Sequence, residues 1–164
     1  MITLTVTPDR EQLGAFGRIL GVSCRVRSLE NKLRRMSEVV YSENSDGSRG
    51  QPYSPREFPA GTWNVYAAHS VDLARDPHRY MWPYFIPTDA WQMVDVWEVD
   101  QHDALRYVEK TDERVMDWGY GIHFSMSATT LGCLKLDSET DLRWLVAEID
   151  TALRGGEKIQ LYVA

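Results

Sequence analysis

Only one segment of this chain of 164 residues has a clear helical period, and this constrains the fold more than any other feature. Over residues 139–153 the apolar side chains form a single stripe. The stripe consists of Leu142, Leu145, Val146, Ile149 and Leu153. Ser138 is a good N-cap with Asp141 three residues later, and Gly155 and Gly156 end the segment. The sequence therefore predicts one helix with defined ends and one buried face.

The other regular segments alternate with a period of two, which predicts strands. Residues 2–7 alternate large apolar side chains with threonine, so one face of this strand is predicted to be buried. Gly21 is predicted to turn two further strands into a hairpin. The predicted strands are residues 2–7, 16–20, 22–27, 63–67, 91–99 and 157–163. The fold class that follows is mainly β (α+β), with one C-terminal helix packed on a sheet.

Length and patterning predict a single domain over residues 1–164. Residues 42–58 contain Ser, Asn, Asp, Gly and Pro in close succession, which predicts a loop insertion. No apolar run reaches the roughly 20 residues of a membrane helix. The net charge of −6 argues against nonspecific binding of nucleic acid, which needs a basic face. The N-terminus lacks the basic and apolar stretches of a secretory signal, so synthesis in the cytoplasm is expected.

One histidine and one cysteine are the candidates for chemistry. His123 ends a short apolar strand pattern, and Cys133 follows Gly132 directly. A thiol near its ordinary pKa is mostly protonated at pH 7, so a catalytic cysteine needs a base such as imidazole beside it. A glycine before the nucleophile lets the backbone approach a substrate closely. The sequence therefore predicts a thiol site built from His123 and Cys133.

Other roles for these residue types compete with catalysis. Cysteine is among the most buried residue types, so Cys133 could serve packing alone, and Cys24 is expected in the core. A metal site would need ligands in addition to His123 and Cys133. The candidates for these ligands are Asp72, Asp76 and His78. The prediction is that the protein uses no metal and no cofactor.

Five short motifs occur in order along the chain. They are Cys24–Glu30, Pro59–Trp63, Gly121–His123, Gly132–Leu134 and Gly156–Ile159. This order resembles a small family of phage and bacterial proteins of uncertain function, whose C-terminal motif is similar to the catalytic motif of L,D-transpeptidases. The resemblance implies an L,D-transpeptidase-like β-sandwich or open barrel, with the C-terminal helix packed on the sheet.

The residues around Cys133 match the end of the L,D-transpeptidase motif. That motif has a histidine, a spacer and then Ser/Thr-His-Gly-Cys, followed by an aliphatic residue and a basic or amide one. The matching residues are Thr130, Gly132, Cys133, Leu134 and Lys135. Leu131 stands where those enzymes carry a second histidine, and the spacer after His123 is shorter than theirs.

The resemblance implies a role for each reacting group. Cys133 would be the nucleophile that attacks a peptide carbonyl. His123 would be the general base, which takes the thiol proton and later gives it to the leaving amine. The backbone carbonyl of Phe124 would orient the imidazole. Ser125 or Ser127 could serve this purpose instead.

The remaining implied residues bind the substrate, which would be the stem peptide of peptidoglycan. The backbone N–H of Gly132, with that of Cys133, would form an oxyanion hole. Lys135, Arg25 and Arg27 would pair with carboxylates of the stem peptide. The aromatic walls of the site would be Tyr120, Trp118, Trp82 and Tyr84.

The function expected from these residues is a peptidoglycan-directed cysteine peptidase, carboxypeptidase or transpeptidase. Its partners would be stem peptides and other phage or secretion-machine proteins. It would act in a virion or after delivery to the periplasm or cell wall. The alternative is a non-enzymatic phage virion, tail or assembly protein with a degenerate site, which Leu131 favours. A third option is a cysteine peptidase or amidase that acts on protein.

Overall fold

The protein is described by a computed structural model, which defines residues 1–22, 57–99, 107–126, 130 and 132–164. Within these ranges the chain forms eleven strands and one helix, without a closed barrel. The prediction of a mainly β chain with one C-terminal helix is confirmed. The predicted loop at 42–58 lies outside the described residues, apart from its last two positions. Cys24, Arg25, Arg27, Ser127 and Leu131 also lie outside them.

The described fold divides the chain into two compact units. The first unit comprises Met1–Arg25, Glu57–Ala90 and Gly119–Ala164, and the second comprises Val26–Arg56 and Trp91–Trp118. The first unit contains both His123 and Cys133. No described helix in either unit has the length and apolar character needed to cross a membrane.

The first unit contains a five-stranded sheet, called sheet A. Its strands are β1 (Ile2–Val6), β2 (Gln12–Ala15), β3 (Arg18–Gly21), β4 (Gly61–Val65) and β11 (Ile159–Val163). Their order is β3-β2-β1-β11-β4. β1 and β11 are parallel, with Ile2 opposite Ile159, and the other pairs are antiparallel. Alternate side chains such as Leu4 and Leu161 are buried in the core, as the period of two predicts.

The first hairpin turns earlier than the sequence predicts. Phe16 and Gly17 have positive φ angles of 50° and 75° and join β2 to β3. Gly21 ends β3 and has a packing role, because a Cβ at this position would collide with the carboxylate of Asp137. The prediction of a turn at Gly21 is therefore wrong.

A second sheet in this unit, called sheet B, has four strands. They are β5 (His69–Ser70), β6 (Tyr84–Pro87), β9 (Gly121–Phe124) and β10 (Leu134–Leu136). The order is β10-β9-β6-β5, with β9 and β10 parallel and the other pairs antiparallel. One face of the sheet is apolar and fully buried. Its residues are Ile86, Ile122, Leu134 and Leu136, each 0% exposed.

Helix α1 (Glu139–Arg154) packs against sheet B and β11. Ser138 caps it, because its Oγ accepts a hydrogen bond from the N–H of Asp141 at 3.0 Å. The buried residues of the helix are Leu142, Leu145, Val146 and Ile149. Each such side chain contributes about 1.5–3 kcal/mol through burial. The predicted helix, its cap and its apolar stripe are confirmed.

The described part of the second unit is an antiparallel hairpin. It is formed by β7 (Trp91–Val99), which has the predicted bounds, and β8 (Tyr107–Trp118). Trp91 lies opposite Trp118, and Met93 lies opposite Met116. All four of these side chains are exposed.

Candidate functional site

The face of sheet B opposite the core carries the candidate site. The register places His123 of β9 between Phe85 of β6 and Lys135 of β10. Residues directly opposite in neighbouring strands point to the same face, so these three side chains form one row. The ring centroid of Phe85 lies 6.3 Å from that of His123 and 5.5 Å from that of His69 on β5. The row therefore crosses all four strands of the sheet.

Gly121 leaves room for the Phe85 ring beside His123. A Cβ on Gly121 would collide with the edge of that ring and with the carbonyl oxygen of Ile86. Gly121 precedes His123 by two residues in the same strand, so both positions share one face. The glycine of the Gly-Ile-His motif therefore has a packing role at the site.

The backbone fixes the orientation of the His123 imidazole, which is 4% exposed. Nδ1 lies 3.1 Å from the carbonyl oxygen of Phe124. A carbonyl oxygen can only accept, so this contact is a hydrogen bond in the tautomer that carries the proton on Nδ1. The contact that the resemblance implies for Phe124 is therefore present. A general base that acts through Nε2 requires this tautomer.

Burial lowers the pKa of His123 from 6.5 to about 4. The Phe124 carbonyl opposes this shift, because it accepts a hydrogen bond from the ring. The ammonium group of Lys135 lowers the pKa further, whereas the carboxylate of Asp76 and the carbonyl of Tyr80 raise it. The ring is therefore neutral at pH 7. The groups that raise its pKa are those that stabilise an imidazolium.

Cys133 follows a turn that one threonine hydroxyl organises. Thr130 Oγ1 donates to the carbonyl of Cys133 at 2.7 Å and accepts from the N–H of Gly132 at 3.2 Å. Gly132 has a φ angle of +125°, which residues with a side chain rarely adopt. Cys133 forms no disulfide and is partly exposed. The turn therefore holds an accessible cysteine on a fixed backbone.

The register of β9 and β10 relates Cys133 to His123. Leu134 lies opposite Ile122, and both side chains are buried in the core. Cys133 directly precedes β10, in which Lys135 lies opposite His123. Cys133 therefore lies at the start of the strand that neighbours β9.

Asp76 is a buried carboxylate whose charge acts on the imidazole. The sequence indicates it only as a possible additional metal ligand. Asp76 is 8% exposed, and it accepts hydrogen bonds from the N–H groups of Tyr80, Met81 and Trp82 at 2.9, 2.7 and 3.0 Å. Burial raises the pKa of Asp76, but these three bonds and the imidazole of His123 lower it below its ordinary value. Asp76 is therefore ionised at neutral pH.

Two predicted substrate residues differ in their surroundings. Tyr120 is 3% exposed and packs edge-on against Phe58, with ring centroids 5.6 Å apart. It therefore belongs to the core cluster. Trp118 is 61% exposed at the end of β8, in the second unit. Arg25 and Arg27 lie outside the described residues.

Two further predicted residues have defined partners beside the site. Lys135 lies in the row with His123, close enough for its charge to lower the pKa of the imidazole. The N–H of Gly132 donates to Thr130 Oγ1, so this predicted oxyanion donor is engaged within the turn. An oxyanion at Cys133 would have to compete with the threonine hydroxyl for that proton.

Trp82 and Tyr84, the other predicted wall residues, join the segment before β6 to the helix. The guanidinium of Arg79 lies 4.8 Å from the ring centroid of Trp82. Arg143 of α1 lies 5.8 Å from the same ring and 5.7 Å from the ring of Tyr84. Arg143 also pairs with Glu139 at 2.9 Å. These cation–π contacts attach the aromatic segment to α1.

A functional assignment depends on the geometry around His123 and Cys133. Among the residues that the structure describes, no group of three or more His, Cys, Asp or Glu side chains is arranged to hold a metal ion. Comparison with protein-family models, with curated proteins and with solved structures found no significant match. The site is therefore defined by the burial of His123, its contact with the Phe124 carbonyl and the turn at Cys133.

Proposed function

We propose that the protein is a cysteine-dependent acyl-transfer enzyme that acts on the stem peptides of peptidoglycan. One observation carries this proposal: the imidazole of His123 is buried, with Nδ1 3.1 Å from the Phe124 carbonyl, and burial lowers its pKa to about 4. A general base needs a neutral resting state and a nitrogen with a lone pair. A neutral His123 that donates from Nδ1 would supply both, in the strand beside β10, which Cys133 directly precedes.

The reaction begins when Cys133 Sγ attacks the carbonyl carbon of a peptide bond. An S–C bond forms, the thiol proton passes to Nε2 of His123, and the carbonyl oxygen becomes an oxyanion. Collapse of this intermediate breaks the C–N bond, and the imidazolium gives its proton to the leaving amine. Water then resolves the thioester to a carboxylate, or the amine of a second peptide resolves it to a new peptide bond.

Lys135 supports a substrate that carries a carboxylate, as stem peptides do. Its ammonium group lowers the pKa of His123 in the unliganded protein. A substrate carboxylate paired with Lys135 would offset that charge and make His123 a stronger base. Binding of an acidic substrate would thus prepare the base that starts the reaction.

The direct test is the conversion of muropeptides. Wild type, Cys133→Ala and Cys24→Ala are each incubated with purified muropeptides, and the products are analysed by mass spectrometry. Wild type and Cys24→Ala are expected to produce shortened or cross-linked peptides, whereas Cys133→Ala is inactive. Cys24→Ala is the matched control, since it removes the other of the two cysteines in the chain. Unchanged muropeptides in every sample would contradict the proposal.

Thiol alkylation tests the site without a substrate. Iodoacetamide at pH 6 is expected to modify Cys133 faster in the wild type than in His123→Gln, because the base is absent from the variant. Peptide mapping identifies the modified cysteine. A Cys133 that stays unmodified while the protein is folded would favour a packing role for the thiol.

A second candidate is a non-enzymatic virion, tail or assembly protein that keeps the fold. The engaged N–H of Gly132 favours it, because an oxyanion hole needs donors that are directed at the substrate. Rapid alkylation of Cys133 together with unchanged muropeptides would support this second function over the first.

A further inference from the structure

Asp76 is a buried ionised group that the proposed chemistry does not use. It lies between β5 and β6, and both oxygens of its carboxylate accept backbone hydrogen bonds from residues 80–82. Its own N–H donates to the carbonyl of Asp72 at 2.9 Å, and its carbonyl accepts from Arg79 at 3.1 Å. Asp76 therefore takes part in five hydrogen bonds with backbone groups of neighbouring residues, three through its side chain and two through its own backbone.

The segment that Asp76 organises is joined to the strand that carries His123. The N–H of Met126 donates to the carbonyl of Arg79 at 3.3 Å, shortly after the end of β9. The next carbonyl along the segment, that of Tyr80, raises the pKa of His123. The N–H of Tyr80 donates to Asp76 Oδ1, so one peptide segment connects the carboxylate to the imidazole.

We propose that Asp76 is a positioning residue for the pair His123 and Cys133: its carboxylate fixes the Tyr80 carbonyl against the imidazole and provides the negative charge that stabilises the imidazolium. The stabilisation during acyl transfer rests on the proposed function. The coupling between Asp76 and His123 does not depend on it, and it can be measured in a protein without a nucleophile.

The charges around His123 fix the sign of the expected effect. Among the described residues, the charged groups that act on the imidazole are Asp76 from the segment before β6 and Lys135 from β10. His69 is separated from the imidazole by the ring of Phe85. Asp76 and Lys135 act in opposite directions on the pKa of His123. Without the carboxylate, Lys135 is unopposed and His123 becomes a weaker base.

The coupling is tested by NMR titration of the His123 imidazole in a Cys133→Ala background. Asp76→Asn is expected to lower the pKa of His123 below that of the parent, and Asp76→Glu, which keeps the charge, is expected to restore it. Asp72→Asn is the matched control, because Asp72 accepts the N–H of Ala74 at 2.9 Å in the same segment. An unchanged pKa of His123 in folded Asp76→Asn would overturn the proposal.

A measurement on the unsubstituted carboxylate keeps the test decisive if Asp76→Asn fails to fold. The ¹³Cγ resonance of Asp76 is followed from pH 7 to pH 3 in the Cys133→Ala protein. An ionised Asp76 coupled to His123 is expected to show an inflection near pH 4, where the imidazole takes up its proton, and this inflection should be absent when His123→Gln is added. A carboxyl resonance that does not respond to the protonation of His123 would overturn the proposal.

Reactivity separates this inference from the proposed function. Asp76→Asn is expected to slow the alkylation of Cys133 at pH 6 at least about tenfold, with Asp76→Glu partly restoring the rate. Unchanged alkylation in folded Asp76→Asn would overturn the positioning role. An NMR shift of His123 in a protein that converts no muropeptide would support the coupling and contradict the proposed function.

Discussion

The two faces of sheet B differ in chemistry although the same strands build them. On one face, Ile86 and Ile122 are completely buried among apolar neighbours. On the other, Phe85, His123 and Lys135 form a row that combines an aromatic ring, an imidazole and an ammonium group. A step of one residue along β9 therefore passes from the core to the candidate site. Substitutions on the first face should change mainly stability, and those on the second should also change pH dependence and thiol reactivity.

The largest expected effect lies on the apolar face. Ile122→Ala removes a side chain that is 0% exposed, and it is expected to lower the free energy of unfolding by about 2–5 kcal/mol. Urea denaturation measures the change. Ile19→Ala is the control, because Ile19 is 62% exposed, and its effect should stay within about 0.5 kcal/mol. Equal effects of the two variants would contradict the assignment of Ile122 to the core.

The next effect concerns the pH dependence of stability. The pKa of His123 is about 4 in the folded protein and 6.5 as its ordinary value, so the unfolded chain binds more protons between these values. The free energy of unfolding is therefore expected to fall by about 3 kcal/mol between pH 7 and pH 4 because of His123. The substitution His123→Gln should remove this part of the pH dependence. Denaturation at a series of pH values tests this. The same pH dependence in wild type and His123→Gln would contradict this prediction.

A smaller effect is expected from Gly121→Ala on the face of the site. The new methyl group would collide with the Phe85 ring, which costs about 1–3 kcal/mol and displaces the neighbour of His123. The midpoint temperature of thermal unfolding and the rate of Cys133 alkylation should both decrease. Gly14→Ala in β2 is the matched control, because its Cβ would meet only the Thr5 carbonyl at an ordinary 3.6 Å. Normal alkylation in Gly121→Ala would show that Phe85 does not position His123.

The smallest effect is expected at the turn. Thr130→Val removes the hydroxyl that bonds the N–H of Gly132 and the carbonyl of Cys133, and it should destabilise the protein by about 1 kcal/mol. Thr151→Val in α1 is the control, since its hydroxyl donates to the Ala147 carbonyl on an exposed face. Urea denaturation compares the two. A larger loss at Thr151 would contradict the role of Thr130 in fixing the turn.

Local patterns in the sequence predict the elements that depend on near neighbours. The cap at Ser138, the stripe of α1 and the bounds of β7 follow from spacing within one segment. The contact between His123 and Phe124 also joins adjacent residues. The turn at Phe16 was not predictable in this way, because an aromatic residue rarely adopts a positive φ.

Features that depend on distant packing could not be predicted from such patterns. Asp76 lies among arginine, proline and histidine with no periodicity, and only the folded path of residues 80–82 brings three N–H groups to its carboxylate. Tyr120 directly precedes the Gly-Ile-His motif, and this position favours a role beside the site. In the fold its ring packs edge-on against Phe58 in the core. The packing roles of Gly21 and Gly121 depend on Asp137 and Phe85, which belong to other elements.

The position of β11 in sheet A has a consequence for folding on the ribosome. β11 lies between β1 and β4, and it pairs Ile159 with Ile2, which is synthesised much earlier. Sheet A therefore cannot be completed until β11 has left the exit tunnel, and β1 lacks this partner until then. Such long-range pairing slows folding and leaves a strand edge open to association with other chains. We expect newly made chains to need a chaperone more than chains whose sheets pair only strands that are close in sequence.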